Sequence, residues 1–332
     1  MSKFKQIVGI DISKETFDCN VYNQSQTEAF TNDQKGFGSF RDKVLMKLQC
    51  EKEDILIAFE NTGMYSYNIA VYFEEQGYSY IMLPGLELKR TLGIVRGKSD
   101  SIDARHIARY AYEKREVLKP GKLASTTIIK MKKYLSLRDS LVKSRTRFKA
   151  NFSESRRVYS WDEYGEYLQI LETQIKHFDS EILKVEQIIN ELLESNQELQ
   201  EQYSLLTSIK GIGPQIALYL IAYTNGFTKF ENARKFASYI GVAPFPHQSG
   251  TSIQGKMRVS QLALKKINAL FEMGARSAIQ HDVEMRLYYC RKVAEGKEKE
   301  SVINAVKNKL TLRAFAVIKR GTPYVNIMRF AA

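Results

Sequence analysis

The sequence predicts an α/β domain followed by a mostly helical region, and three observations carry that prediction. Short β-rich runs alternate with helical spacing over residues 1–120. Residues 121–205 keep helical spacing throughout, without a strand signal. Residues 206–332 open on LLTSIKGIGPQIALYLIAY and are mostly helical again.

QIVGIDI (6–12) and FDCNVYN (17–23) are β-rich runs separated by SKET, which suits a hairpin, and EAFTN (28–32) supplies a third strand. ILIAFE (55–60) is a short apolar run that ends on a carboxylate and meets the turn-forming NTG. Ile69, Tyr72 and Phe73 recur at helical spacing between residues 65 and 75. YSYIMLP (78–84) is a further strand, stopped by Pro84. In SDSIDARHIARYAYEK (99–114), Ile102, Ile107 and Ala111 mark a helix with Ser99 as its N-cap. Three strands in hairpin order, then helix–strand units, describe a mixed sheet covered by helices. That is the element order of a ribonuclease-H-like fold rather than a doubly wound one.

From Leu171 an apolar 4–3 spacing runs through Ile175, Phe178, Ile182, Val185, Ile189 and Leu192, meets Asn196 and resumes at Leu199. This is a coiled-coil pattern, in which Asn196 at a seam position would set register or oligomer state. An intramolecular hairpin with the preceding basic helix, Met131 to Phe152, fits the same spacing. Both arrangements stand open, singly or together. A helix is expected from Val302 to Lys319, and the tail GTPYVNIMRFAA reads as irregular. The expected division is an α/β domain with its basic helix over 1–150, a coiled coil over 151–205 and a third domain over 206–332.

The chain of 332 residues is 44% hydrophobic and 26% charged, ordinary for a globular protein, but its net charge is +13. Such an excess implies a polyanionic partner, nucleic acid first, although ribosome-bound and membrane-surface proteins share the bias. Between Ile81 and Ala150 there are 18 Lys and Arg against 6 Asp and Glu. A shorter basic run would be a solvated face; over this length nucleic-acid binding explains it better. Cys19, Cys50 and Cys290 have the spacing of neither a disulfide framework nor a zinc motif. No hydrophobic leader precedes the first strand, and the longest apolar candidate, Ile216 to Tyr223, is too short to span a membrane. The expected location is therefore the cytoplasm.

Four carboxylates stand out. Asp11 lies among isoleucines near the end of the first strand, where burial is expensive unless the charge is paired or bound to a cation. Glu60 repeats the arrangement at the end of ILIAFE. Asp100 and Asp103, three apart at the start of a helix, project from one face. Convergent carboxylates suit Mg²⁺, or Mn²⁺, and such ions promote phosphodiester displacement. Singly, each carboxylate has a structural reading, as a helix cap or a turn former; the four together beside a basic segment point to a metal site. Lys210-Gly211-Ile212-Gly213-Pro214 opens a helix in the manner of a helix-hairpin-helix module, whose backbone N–H groups can receive a phosphate. The alternative is a connection whose glycines serve tight packing. In HQSGTSIQGKMRVS (247–260), Ser249, Ser252 and Ser260 sit in a Gly-containing loop with Lys256 and Arg258, and a serine there could attack phosphorus if activated.

GIDISKETFDC, AFENTGMY, KSDSIDARHIARY, IKGIGPQIA and FASYIGVAPFPHQSGTSIQGK occur in one order that resembles the DEDD transposases of a bacterial insertion-sequence family, the RNA-guided bridge recombinases. The resemblance covers nearly the whole chain. It implies a RuvC-like domain, a coiled coil and a C-terminal transposase domain bearing a serine nucleophile. By that similarity Asp11, Glu60, Asp100 and Asp103 are the catalytic metal ligands and Ser249 is the nucleophile. It further implies donor and target DNA and a structured guide RNA as partners, in a nucleoid-associated bacterial protein. The active form would be a homo-oligomer, dimer or tetramer, whose composite centre joins the carboxylates of one protomer to the serine of another. Lys98, Arg105, Arg138, Lys143, Arg145, Arg147, Lys149, Lys210, Gly211, Gly213, Lys256 and Arg258 are the expected nucleic-acid contacts. Gln254 stands where the family more often carries a basic residue before the glycine, and Gln261-Leu262-Ala263 where a Lys-and-Gly stretch is commoner. A junction resolvase using water, and a non-catalytic nucleic-acid-binding protein, are the alternative functions.

Overall fold

The computed structural model describes residues 4–91, 100–243, 245–249, 253–258 and 263–325; residues 100–102, 245–249 and 253–258 are described by their backbone. Two compact units divide between Leu123 and Ala124.

The first unit is built on a five-stranded mixed sheet. Its elements are β1 (Gln6–Ile12), β2 (Thr16–Val21), β3 (Thr27–Thr31), α1 (Gln34–Lys43), β4 (Ile55–Glu60), α2 (Tyr67–Glu75), β5 (Ser79–Leu83), α3 (Gly85–Thr91) and α4 (Asp100–Lys114). The strand order is β3-β2-β1-β4-β5. β1, β2 and β3 form an antiparallel meander, whereas β4 runs parallel to β1 and β5 parallel to β4. This sheet is compatible with the ribonuclease-H-like arrangement expected from the element order and with the RuvC-like domain that the resemblance implies. All five expected strands are present. α1 has no counterpart in the sequence reading, because its glycines Gly36 and Gly38 hide a helical pattern that Asp33 caps through Gly36 N.

Strand alternation gives the sheet two apolar faces. On one face Val8, Ile10, Phe17 and Phe59 pack with Phe37, Phe40, Ile69 and Phe73 of α1 and α2. On the other, Ile7, Leu56, Ala58 and Leu83 pack with Ile107, Tyr110 and Ala111 of α4. Gly9 lets α4 lie directly on β1, since a Cβ there would fall 2.2 Å from Ala108 N and 2.3 Å from Ala104 O.

The second unit holds α5 (Thr126–Val158), α6 (Trp161–Glu194), α7 (Gln197–Thr207), α8 (Pro214–Thr224), α9 (Ala233–Tyr239), β6 (Phe245–Ser249), β7 (Ile253–Arg258), α10 (Lys265–His281), α11 (Val283–Ala294) and α12 (Lys299–Arg320). The boundary expected at residue 150 falls inside α5, whose helical spacing continues without a break, so the basic helix belongs to this second unit. α5 and α6 form the intramolecular hairpin, with Phe148 against Phe178 at 5.4 Å between ring centroids. Leu171, Ile175, Ile182, Val185 and Ile189 are buried, as the 4–3 spacing requires. Asn196 is not a seam residue. α6 ends at Glu194, and Asn196 is the N-cap of α7, its Oδ1 accepting from Leu199 N at 3.1 Å. An asparagine side chain that can close a helix start competes well against a place in an apolar seam. A core of buried residues from α7, α8, α9, α10 and α12 surrounds α8, which is apolar on nearly every side.

Among the described residues, no helix is long and apolar enough to cross a membrane.

Candidate functional site

Parallel pairing of β1 with β4 sets Gly9 opposite Ala58 and Ile10 opposite Phe59. One residue further along each strand are Asp11 and Glu60. The two carboxylates therefore end adjacent central strands on the same face, because partners in register point the same way. That face is the one covered by α4, since Gly9 and Ala58, two residues before each carboxylate, both face it.

α4 runs against the direction of β1. Its later residues Ile107, Tyr110 and Ala111 pack near Phe4 and Ile7 at the start of the strand, and Ala104 and Ala108 lie on Gly9. Its first turn thus meets the carboxyl ends of β1 and β4. Asp103 is half-buried there, one turn before Ile107 on the sheet-facing stripe. Asp100 is the first residue of α4, and its side chain lies outside the described residues. The fold therefore brings Asp11, Glu60 and the start of α4 to one end of one sheet face. Among the described residues, no three His, Cys, Asp or Glu side chains already converge as a metal-binding group.

Two residues of this region escaped the sequence reading. Asp18 of β2 stands directly across from Asp11 in the antiparallel register. Gly85 opens α3, and its Cα lies against the carboxyl group of Glu60. A side chain at 85 would occupy the place of that carboxylate. α3 is itself tied to α4 by the Tyr110 hydroxyl, which donates to Glu87. Burial, then the neighbouring Glu87 carboxylate, pushes Tyr110 up to about 12. The Pro84-Gly85 pair after a strand was the available signal for this feature.

The expected serine loop is a hairpin instead. β6 and β7 pair antiparallel, with Ser249 opposite Ile253 at the end of β6 and an irregularity between Phe245 and His247. Pairing of the two backbones overrides the loop-like composition, since β-propensity yields readily to context. The side chains of Ser249, Gln254, Lys256 and Arg258 lie outside the described residues, as do Ser252, Ser260, Gln261 and Leu262 altogether. The approaches to the hairpin are firmly held. Asn268 Nδ2 donates to the carbonyls of Ile240 (2.9 Å) and Gly241 (3.0 Å), and Asn304 Nδ2 to Val242 O (2.8 Å). Leu264 N, just past the far strand, donates to Tyr239 O. Lys307, almost fully buried, donates to Asn268 Oδ1 and pairs with Glu272 at 3.0 Å. Sequence reasoning had no access to this network, whose members come from three helices.

The expected nucleic-acid residues divide. Arg138 pairs with Glu186 and Arg145 with Asp179, each at 2.6 Å across the α5–α6 hairpin, so both guanidinium groups serve the fold. Lys149 lies 3.9 Å from Asp179. Lys143 and Arg147 are exposed on α5. Arg105 is exposed and donates to Ser25 O at 2.8 Å, and Lys98 lies outside the described residues. In the turn between α7 and α8, Gly211 has φ +95° and packs on Gly274 and Ala278 of α10, so close packing accounts for this glycine. Gly213 is the N-cap of α8 with open space around it, and Lys210 is exposed beside it.

Several other potential nucleophiles among the described residues are raised above their ordinary values. Burial pushes the Cys19 thiol up to about 12. It does the same to the Tyr80 and Tyr324 hydroxyls. Burial and then Asp139, to which it donates a hydrogen bond, raise Tyr219 as well.

Residues 8–155 match a family described as "Transposase", the DEDD transposases of the IS110 type, and residues 203–290 match one described as "Transposase IS116/IS110/IS902 family". The "Pilin gene-inverting protein" of Moraxella bovis is 28% identical over 96% of this chain and 98% of its own length. The homonymous protein of Moraxella lacunata is also 28% identical over the same shares. An "Insertion element IS110 uncharacterized 43.6 kDa protein" of Streptomyces coelicolor is 33% identical over 42% of this chain and 33% of its own.

Proposed function

Since the chain belongs to the IS110-type transposases, a family of DNA transposases and recombinases, we propose that it cuts, exchanges and rejoins DNA strands through a phosphoserine link at Ser249. The observation that carries the reading is the placement of Asp11 and Glu60 at the ends of adjacent parallel strands, on the face where α4 begins with Asp100 and Asp103. With Asp18 across from Asp11, this set of hard oxygen donors suits Mg²⁺ or Mn²⁺. When bound, such ions would neutralise phosphate charge and polarise the phosphodiester.

Asp11, Glu60, Asp100 and Asp103 would hold these ions and through them orient the scissile phosphate. The Ser249 Oγ attacks phosphorus, the bond to the 3′ oxygen breaks, and the proton lost by serine ends on that oxygen. The products are a 5′-phosphoserine and a free 3′-hydroxyl. A 3′-hydroxyl attacking the phosphoserine reverses the step, so strand exchange conserves the phosphoester bond and needs no outside energy. A relative named for inverting a gene favours rejoining over hydrolysis, since an inverted segment must be sealed at both ends. Choice of DNA would fall to a structured guide RNA, held by exposed cations such as Lys143, Arg147 and Lys210. The working form would be a homo-oligomer in which carboxylates and serine come from different copies.

The test is recovery of RNA bound to the purified protein, followed by trapping on DNA that pairs with it. The wild type should form a covalent adduct in Mg²⁺. Ser249→Ala should form none while still binding RNA, and Asp11→Asn should lose metal-dependent cleavage. Adducts persisting in Ser249→Ala would overturn the serine assignment. Cleavage without any adduct would make water the nucleophile, as in a junction resolvase.

A further inference from the structure

We propose that Lys132, Lys229 and the turn at Asn225 form a binding site for one phosphodiester group of a nucleic-acid backbone. The site lies within the second unit, where the middle of the first half of α5 meets the end of α8.

The turn is unusual and well anchored. Asn225, Gly226 and Phe227 are three consecutive residues of positive φ, at +51°, +61° and +62°. Two of them carry side chains, for which this conformation is unfavourable and persists only when the surroundings enforce it. They do so here: Gly226 N donates to Ile221 O, Phe227 N to the buried Thr224 Oγ1, and Gln202 Nε2 to Gly226 O. The result is a fixed platform that presents the Asn225 side chain to α5. Its Oδ1 accepts from Lys132 Nζ at 2.6 Å, which leaves the amide nitrogen to donate elsewhere.

Lys229, just beyond the turn, holds its ammonium 4.7 Å from the centroid of Tyr239 and 5.4 Å from that of Phe230. Among the described residues neither Lys132 nor Lys229 has a carboxylate partner, whereas nearby Lys235 pairs with Glu231 and Lys266 with Asp139. Burial, then the charge of Lys229, pushes Lys132 down to about 8. Partial burial lowers Lys229 as well. Two neighbouring like charges without a carboxylate partner repel one another, and an anion between them would remove that cost. A lysine at the C-terminus of α8 can also complement the helix dipole. That accounts for Lys132 but not for Lys229, which lies past the turn over two rings.

In a chain of net charge +13 that handles DNA, the anion that fits two ammoniums and an amide donor is a backbone phosphate. The inference needs only that this protein binds nucleic acid. It stands or falls independently of Ser249.

The experiment measures affinity of the full chain for labelled duplex DNA and labelled single-stranded RNA across a salt series. The double variant Lys132→Met with Lys229→Met should bind more weakly, with the slope of log affinity against log salt reduced by about 0.9 per lost contact on duplex or about 0.7 on single strands. The ligand on which the slope falls identifies the backbone, DNA or RNA, that the site holds. Restoring charge with Lys132→Arg and Lys229→Arg should recover most of the affinity. The single variant Lys229→Met, at an exposed position, provides the same reading should the double variant fold poorly. Unchanged affinity and slope on both ligands, in variants that unfold at the wild-type urea midpoint or above, would overturn the proposal.

Discussion

The carboxyl group of Glu60 lies against the Cα of Gly85, where a methyl group would sit 2.0 Å from Oε1. The strand end that carries Glu60 and the helix start that carries Gly85 thus share one space, with no room for a side chain at position 85. The relationship separates two effects that active-site variants often confuse. The atom in the way is the far end of a flexible side chain, so the fold can yield cheaply while the carboxylate moves.

Gly85→Ala should therefore keep the urea midpoint within about 0.5 kcal/mol of wild type. Metal-dependent DNA cleavage should fall on the order of 10²-fold, the usual consequence of a reacting group displaced by about 1 Å. Unfolding and cleavage measured on the same preparation check this. A large loss of stability with full specific activity would show that the close approach serves packing alone.

Arg138 and Lys143 lie on the same helix, yet they should behave differently. Arg138 is tied to Glu186 across the hairpin, and Arg138→Gln should destabilise the protein by roughly 1 kcal/mol, the upper range for a partly screened ion pair. Its nucleic-acid affinity should not change. Lys143 is exposed, and Lys143→Gln should leave stability within about 0.5 kcal/mol while lowering nucleic-acid affinity, more at low salt than at high. Urea unfolding and salt-dependent binding of the two variants distinguish the roles.

Lys132 predicts a pH dependence of folding. Its folded-state value, about 8, lies below the ordinary 10.5, so its charge is disfavoured in the fold. Below about pH 8 both states are protonated and the full cost is present. Between about 8 and 10.5 the folded state has released the proton that the unfolded chain still holds, so stability rises with pH across that window. Lys132→Met should accordingly be more stable than wild type at pH 7, by roughly 1 kcal/mol after allowance for solvent screening and the lost bond to Asn225. The difference should narrow as pH rises towards 10. Urea midpoints of both proteins at several pH values test it, and a constant difference would refute the assignment.

Much of this protein is written locally. Alternation in QIVGIDI and ILIAFE specifies strands because each residue's face follows from its position alone, and the same strands carry Asp11 and Glu60 at their ends. The 4–3 spacing from Leu171 specifies a long amphipathic helix for the same reason. What such patterns lack is the identity of the partner. Only the register of β1 with β4 brings Asp11 beside Glu60, and only the register with β2 adds Asp18. Which acid a cation on α5 meets depends on the helix that packs against it, and only the fold pairs Arg138 with Glu186 and Arg145 with Asp179. Asn196 reads as a seam residue until the chain ends α6 two residues earlier and uses it as a cap. Periodicity is a property of neighbouring residues and survives in the sequence. Pairing between distant segments is set by packing of the whole unit, so it appears only in the folded chain.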